Sequence, residues 1–300
     1  MGLIEANLIC LACVVIDQLT RAVRLRAFVR GMGFRFGLRQ AMGLNLFEEA
    51  AAAVTPMRLG GEPARLAGML RAGIPGSAGF VALLIEVVSS WPIFVLLGTA
   101  LAVLYAPDWW QLAGPRLART FREAWPWVIG IAVLSIALWI MVKRYAPRAA
   151  HRVRRPLRRA RVHWRRMPRS TVVLSVPLSI LHFGARVAIL PVLASTLANP
   201  PPMGPLVLAS FAMLYSQMVL PTPSGAGAVE LVFLGGAAGD LGRDGPLLLV
   251  LWRFYTLFVV VGLGMLVAVR MYGGGTVRMV LRTVFRRQAP AGHADPDSAG

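Results

Sequence analysis

Two short stretches, Thr55-Pro56-Met57-Arg58-Leu59-Gly60-Gly61-Glu62 and Thr222-Pro223-Ser224-Gly225-Ala226-Gly227-Ala228-Val229-Glu230, carry the same residue types in the same order. Both read Thr-Pro, then glycines, then a carboxylate, and both interrupt apolar segments, at about 37 to 57 and 204 to 239. Pro56, Pro221 and Pro223 stop a helix, while Gly60, Gly61, Gly225 and Gly227 let the backbone turn and expose N–H groups. A half-helix restarting near Val229 aims the positive end of its dipole at the break, a seat for phosphate. Glu230, in that first turn, suits the dipole and is placed to carry a proton or orient an amine. The plainer alternatives are an ordinary loop with Glu230 as a solvated cap, and Glu62 paired with Arg58 or Arg65 at helical spacing.

Further charges stand inside apolar runs, where they are costly and are either functional or paired. Glu86 in LLIEVVSS and Arg253 in VLWRFYT are expected to pair with each other, and Arg186 in FGARVAIL is a phosphate-binding candidate. His182, one turn before Arg186, reads as a packed core histidine. Asp17 and Arg21, at i,i+4, most simply pair together. At least one of Asn45, Glu48 and Glu49 should face a cavity. Cys10 and Cys13 read as small packing residues. Catalytic signals are missing: there is no Walker lysine motif, and Pro75 and Thr222 stand where a Gly-x-Ser-x-Gly elbow needs its first glycine. No catalytic residue, metal ligand or cofactor is therefore assigned, and the chain is not read as an enzyme.

The elements that must position these residues are membrane spans. Hydrophobic residues make up 57% of the 300 and mean hydropathy is +0.63, more than a soluble domain needs. Clear apolar spans lie at about 2 to 20, 78 to 105, 124 to 142, 171 to 197 and 247 to 270. Net charge is +19, but the basic residues are clustered, which indicates topology rather than nucleic-acid binding. Lys143 to Arg169 carries 12 positive charges and no acid, and Arg21 to Arg39 carries six and no acid. Both segments are expected in the cytoplasm. Trp109, Trp110, Trp125 and Trp127 resemble an interfacial aromatic belt on the opposite side.

Counting outward from these anchors leaves 37 to 57 and 204 to 239 each entering and leaving on one side. The expected fold is all-α, a polytopic membrane protein with two re-entrant helical hairpins in an inverted-topology repeat. A single transmembrane domain spans 1–287. It divides into repeat one (about 2–105), connecting helix 124–142, cytoplasmic basic loop 143–169, repeat two (about 171–270) and a basic interfacial segment 271–287. Arg278, Arg282 and Arg286 form a basic stripe in that last segment, and 288–300 is a disordered tail. The N-terminus is placed outside and the C-terminus in the cytoplasm. The basic loop from Lys143 to Arg169 is expected to attract anionic lipid.

TPMRLGGEPARL and LPTPSGAGAVEL, with DQLTRAVRLRAF near the start and LWRFYTLFVVVGLG near the end, resemble the lysylphosphatidylglycerol synthase transmembrane family over roughly 1 to 275. These are flippase-like integral membrane proteins. The resemblance implies transbilayer movement of a lipid, and marks Pro56, Gly60, Glu62, Arg65, Glu86, Pro223, Gly225, Gly227, Glu230 and Arg253 as functional positions. Ser224 replaces the first glycine of the usual pair, and the first span starts one helix later than in many relatives. No counterpart of the family's soluble aminoacyl-transferase domain is found in these 300 residues, so lipid aminoacylation is not expected.

The leading expectation is translocation of an envelope lipid, an anionic or aminoacylated phospholipid or a lipid-linked sugar, across the bacterial inner membrane. The alternatives are an accessory subunit of an envelope-lipid or hopanoid pathway, and a membrane-embedded transferase. Envelope-lipid biosynthetic enzymes and a second copy of the chain remain open as partners.

Overall fold

The computed structural model describes residues 2–106, 158–218, 222–236 and 244–270, with single positions between 122 and 144 and at 273. The regular elements among them are helices, with 158–166 helical and the named ones being α1 (Leu3–Gly31), α2 (Leu38–Ala53), α3 (Gly61–Arg71), α4 (Gly76–Tyr105), α5 (Arg169–Ala194), α6 (Met203–Ser216), α7 (Ala228–Gly236) and α8 (Gly245–Arg270). A π-helical turn, Phe254–Phe258, lies inside α8. Pro75, Pro168 and Pro202 stand at the N-caps of α4, α5 and α6, where a missing N–H leaves nothing unsatisfied. At the starts of α1 and α2 the N–H groups of Gly2 and Gly37 donate to Glu5 at 3.1 Å and Gln40 at 2.9 Å.

Helices α1, α4, α5 and α8 are each long and apolar enough to cross a membrane. Large apolar side chains face outward on them, among them Leu96 at 70% exposure and Val173 at 69%, while Asp17, Arg21, Arg24, Arg65 and Glu86 are buried. That inversion is what a hydrocarbon solvent requires, since it rewards apolar exposure and penalises a bare charge. The protein is an all-α multi-pass membrane protein.

Contacts fix the relative directions. Helix α1 runs antiparallel to α5: Gly31 lies against Thr171, and the Cys10 thiol reaches the Ile189 carbonyl. Helix α4 runs parallel to α5, with Ser90 beside Ser179 and the Phe94 and Phe183 rings 6.3 Å apart. Gly31 meets Met167, and the Phe34 and His163 rings lie 5.5 Å apart, so the basic segment after α1 and the basic stretch before α5 share one end of the bundle. Gly204, at the start of α6, abuts Tyr105 at the end of α4, marking the other end.

Helix α1 extends well beyond the expected limit near residue 20. Its apolar run stops at Asp17, but Asp17, Gln18, Arg21 and Arg24 find buried partners and the helix continues to Gly31. Two apolar clusters flank this polar stretch. One gathers Cys10, Val14, Leu190, Met213 and Trp252; the other gathers Leu25, Phe28, Leu44, Met69 and Ile85. Cys10 and Cys13 are buried free thiols in the first cluster, as packing residues should be. The expectations for Trp109, Trp110, Trp125, Trp127 and Pro221 lie outside the described residues, as do those for most of 124–157 and for the tail beyond 273.

Candidate functional site

The two Thr-Pro stretches form matching turns between helices, α2 to α3 and α6 to α7. Arg58 N–H donates to the Thr55 carbonyl at 3.2 Å and Leu59 N–H to that of Pro56 at 3.1 Å. Equivalent bonds run from Gly225 to Thr222 at 3.3 Å and from Ala226 to Pro223 at 3.1 Å. Met57 and Arg58 have φ of 51° and 60°, and Ser224 and Gly225 have 54° and 64°. Side chains at positive φ cost on the order of 1–3 kcal/mol each and persist where surroundings over-determine them. Here the tips brace one another: Pro56 and Pro223 form an antiparallel bridge, and the Ser224 hydroxyl donates to the Ala53 carbonyl at 2.8 Å. Gly225 has no room for a side chain, since a Cβ there would lie 2.4 Å from Gln217 Cα.

Each short helix after a tip is tied to the next long helix by an ion pair, and the polarity reverses between them. Arg65 of α3 meets Glu86 of α4 at 2.7 Å; Glu230 of α7 meets Arg253 of α8 at 2.5 Å. The expected Glu86–Arg253 pair is thus replaced by two separate ones, because each charge has a nearer partner on the half-helix preceding it. Arg253 also donates to the Ser224 carbonyl at 2.9 Å, and Glu230 accepts the Gly227 N–H at 2.7 Å, so both hold the second tip in shape.

Beside the tips lies a cavity of about 520 Å³ between α1, α2, α3, α4, α5 and α6. Arg21, Arg24, Glu48, Glu49, Arg58, Glu62, Arg65, Glu86, His182 and Arg186 supply its charged wall. Trp91, Phe94, Phe183 and Tyr215 form an aromatic wall, with the Phe94 ring 4.0 Å from Tyr215 and stacked at 5.1 Å on Phe211 behind it. Glu230, Ser224 and Arg253 are not in the lining.

The charges are extensively paired. Arg21 bonds Glu48 at 2.9 Å and also Glu49. Arg65 spans Glu48 at 3.2 Å and Glu86, and Arg24 donates to Glu86, to Ser179 and, at 2.9 Å, to Ser90. Arg58 donates to Glu49 and to Gln217 at 3.1 Å. Arg186 reaches Glu49 at 3.3 Å, on the oxygen that Arg21 already uses. Neither Arg58 nor Arg65 pairs with Glu62, which is exposed on the cavity wall.

Asp17 bonds His182 and accepts from Gln18 at 3.0 Å, while Arg21 turns to α2, so the expected Asp17–Arg21 pair is not formed. The reason is that α5 and α2 offer partners on two sides of α1. His182 is buried, but as a carboxylate partner on the cavity wall rather than as a plain core residue.

Arg24, Gln217 and Tyr215 are lining residues that sequence reasoning did not single out, and Arg21, read only as the partner of Asp17, lines the cavity with them. The available signal was the Asp17, Arg21, Arg24 spacing, which sets three charges on one face of a continuing helix. Asn45 is fully buried and does not line the cavity, whereas Glu48 and Glu49 do. Among the described residues no group of three or more His, Cys, Asp or Glu is placed to hold a metal ion.

Comparison with curated proteins and with solved structures gives no match. The profile of the lysylphosphatidylglycerol synthase TM region matches residues 3–264. That range contains both tips and every charged side chain of the cavity, and the chain belongs to the lysylphosphatidylglycerol synthase TM region family.

Proposed function

We propose that the protein moves an envelope lipid across the cytoplasmic membrane of a bacterium by alternating access, with the lipid headgroup received in the arginine-lined cavity. The observation that carries this is the division of the cavity into a guanidinium wall and an aromatic wall. Such a pair of surfaces suits an amphiphile whose head bears a phosphate. Arg186 is the least committed guanidinium, holding one oxygen of Glu49 at 3.3 Å. An entering phosphate competes with Glu49 for Arg186 and Arg58 and offers bidentate, charge-assisted bonds in exchange.

Several observations support an inverted repeat of two re-entrant hairpins. The 16 residues of α2 and 14 of α6 rise about 24 Å and 21 Å, short of the ~30 Å hydrocarbon core. The tips share their φ pattern, and the ion pairs behind them are reversed copies. Helix α2 starts at the basic end of the bundle and α6 at the opposite end, so the hairpins approach from opposite faces. By the positive-inside bias the basic end is cytoplasmic, with the N-terminus outside. The exposed Arg158, Arg159, Arg161, Arg165 and Arg166 then face anionic lipid, at roughly 1 kcal/mol each.

The test is ligand-dependent thermal unfolding in mild detergent. Dihexanoyl phosphatidylglycerol should raise the unfolding temperature more than dihexanoyl phosphatidylcholine, and Arg58→Ala and Arg186→Ala should each reduce that difference. Equal stabilisation by both lipids, or an undiminished difference in both variants, would remove the cavity from headgroup recognition.

A further inference from the structure

Of the titratable groups at the cavity, the Asp17–His182 pair is not used by headgroup binding as described above. Asp17 of α1 is 3% exposed and His182 of α5 is 8% exposed. One carboxylate oxygen of Asp17 meets His182 Nδ1, and the other accepts from Gln18 Nε2 at 3.0 Å. A carboxylate held on both oxygens cannot swing away, so the imidazole orientation is fixed. The Phe183 ring, 4.8 Å from the imidazole, closes one side of it. His182 lines the cavity, and its second ring nitrogen, Nε2, has no hydrogen-bond partner among the described residues. An imidazole backed by a carboxylate and open in front can accept a proton from the cavity and return it.

The groups facing this pair come from every neighbouring element. Helix α1 supplies Arg21 and Arg24, α5 supplies Arg186, α2 supplies Glu48 and Glu49, and α4 supplies Glu86. The first tip and α3 add Arg58, Glu62 and Arg65, and α6 adds Tyr215. The arginines stay charged throughout the physiological range. Glu48, Glu49 and Glu86 are committed to arginines. His182 is the member whose ordinary titration lies between about pH 5 and 8, and Glu62, which no arginine pairs, is the second group on the wall able to take a proton. With Asp17 included, arginines and carboxylates around the cavity are equal in number. With Glu62 ionised, one proton on His182 therefore turns a balanced cavity into a positive one.

We propose that Asp17 and His182 form a proton-binding site linked to the headgroup cavity, so that a proton is taken up when an anionic headgroup enters and released when it leaves. The proposal rests on the cavity being a headgroup site. It supplies a source of coupling, because α1 and α5, which the pair joins, pack along nearly their whole lengths from Gly31 to Cys10. Linkage is reciprocal: whatever factor the proton adds to anion affinity, the anion adds to proton affinity.

The experiment follows the imidazole signals of histidine-labelled protein by NMR in phosphatidylcholine nanodiscs between pH 5 and 8. The chain has 4 histidines, and His182→Gln identifies the signal of interest. The midpoint for His182 should rise by about one pH unit, a tenfold change in proton affinity, when dihexanoyl phosphatidylglycerol is added. It should not move with dihexanoyl phosphatidylcholine, and Asp17→Asn should lower it. If Asp17→Asn does not fold, the wild-type shift alone decides. A His182 signal that does not titrate, or a midpoint the same with and without the anionic lipid, overturns the proposal. Lipid movement measured separately in liposomes keeps the two ideas apart. Movement with a fixed midpoint would sink the proton site alone; a shifting midpoint without movement would sink translocation alone.

Discussion

Replacing Glu49 by glutamine removes the one negative charge on which three guanidiniums converge. Glu49 accepts from Arg21, Arg58 and Arg186, and its side chain is 4% exposed. Arg21 would keep Glu48 at 2.9 Å and Arg58 would keep the neutral Gln217 at 3.1 Å, but Arg186 would keep no carboxylate within ion-pair distance among the described residues. Breaking a buried pair from one side costs about 3–5 kcal/mol, chiefly for the charge left behind. Two of the three arginines retain a partner, so the loss should be near that of one pair, about 3–5 kcal/mol, rather than three times as much. Glu230→Gln is the comparison: its carboxylate is 40% exposed and holds one arginine, and Arg253 would keep the Ser224 carbonyl at 2.9 Å, so the loss should be smaller than for Glu49→Gln. Denaturant unfolding in detergent, followed by tryptophan fluorescence, measures both. Glu49→Gln combined with Arg186→Gln should recover at least about 1 kcal/mol relative to additivity, since the second change removes the stranded cation. The reasoning fails if Glu49→Gln is no more destabilising than Glu230→Gln, or if the double variant is simply additive.

Three further outcomes follow from packing. Gly264→Ala would place a Cβ 2.1 Å from the Leu46 carbonyl oxygen and 2.9 Å from Ala50 Cβ, so α2 must move and unfolding should come about 1–3 kcal/mol earlier. Gly43→Ala, whose nearest neighbour would be Val267 Cγ1 at an ordinary 3.5 Å, should leave stability within about 1 kcal/mol of wild type. Cys10 and Cys13, 0% and 9% exposed, should resist a water-soluble maleimide in the folded protein and react fully in SDS. Rapid labelling of either in the native state would contradict the packing of α1 against α5.

The breaks at Thr55 to Gly61 and Thr222 to Gly227 were legible because proline and glycine act locally: the residues that stop the helices are the residues that form the turns. The likeness of the two stretches was legible for the same reason. Which charges meet was not. Glu86 and Arg253 hold matching positions beyond their tips, and matching positions in two halves are equivalent without being in contact. Arg21 and Arg24 belong to a segment whose charge reads as cytoplasmic, with Arg21 paired to Asp17, yet their guanidiniums are enclosed by glutamates and serines from other helices. The Asp17–His182 contact joins residues 165 apart, and nothing local to either announces the other.

The most direct measurement is lipid movement by the purified protein in liposomes. Trace fluorescent phosphatidylglycerol is placed in both leaflets and an outer-leaflet quencher is added, for wild type, Arg186→Ala and Glu62→Gln. Transport through the cavity predicts bleaching that runs past the outer-leaflet half in wild type and slows at least tenfold in Arg186→Ala. The contradicting result is bleaching that continues past the half at the same rate in both variants, because the lipid would then be crossing somewhere other than the arginine-lined cavity.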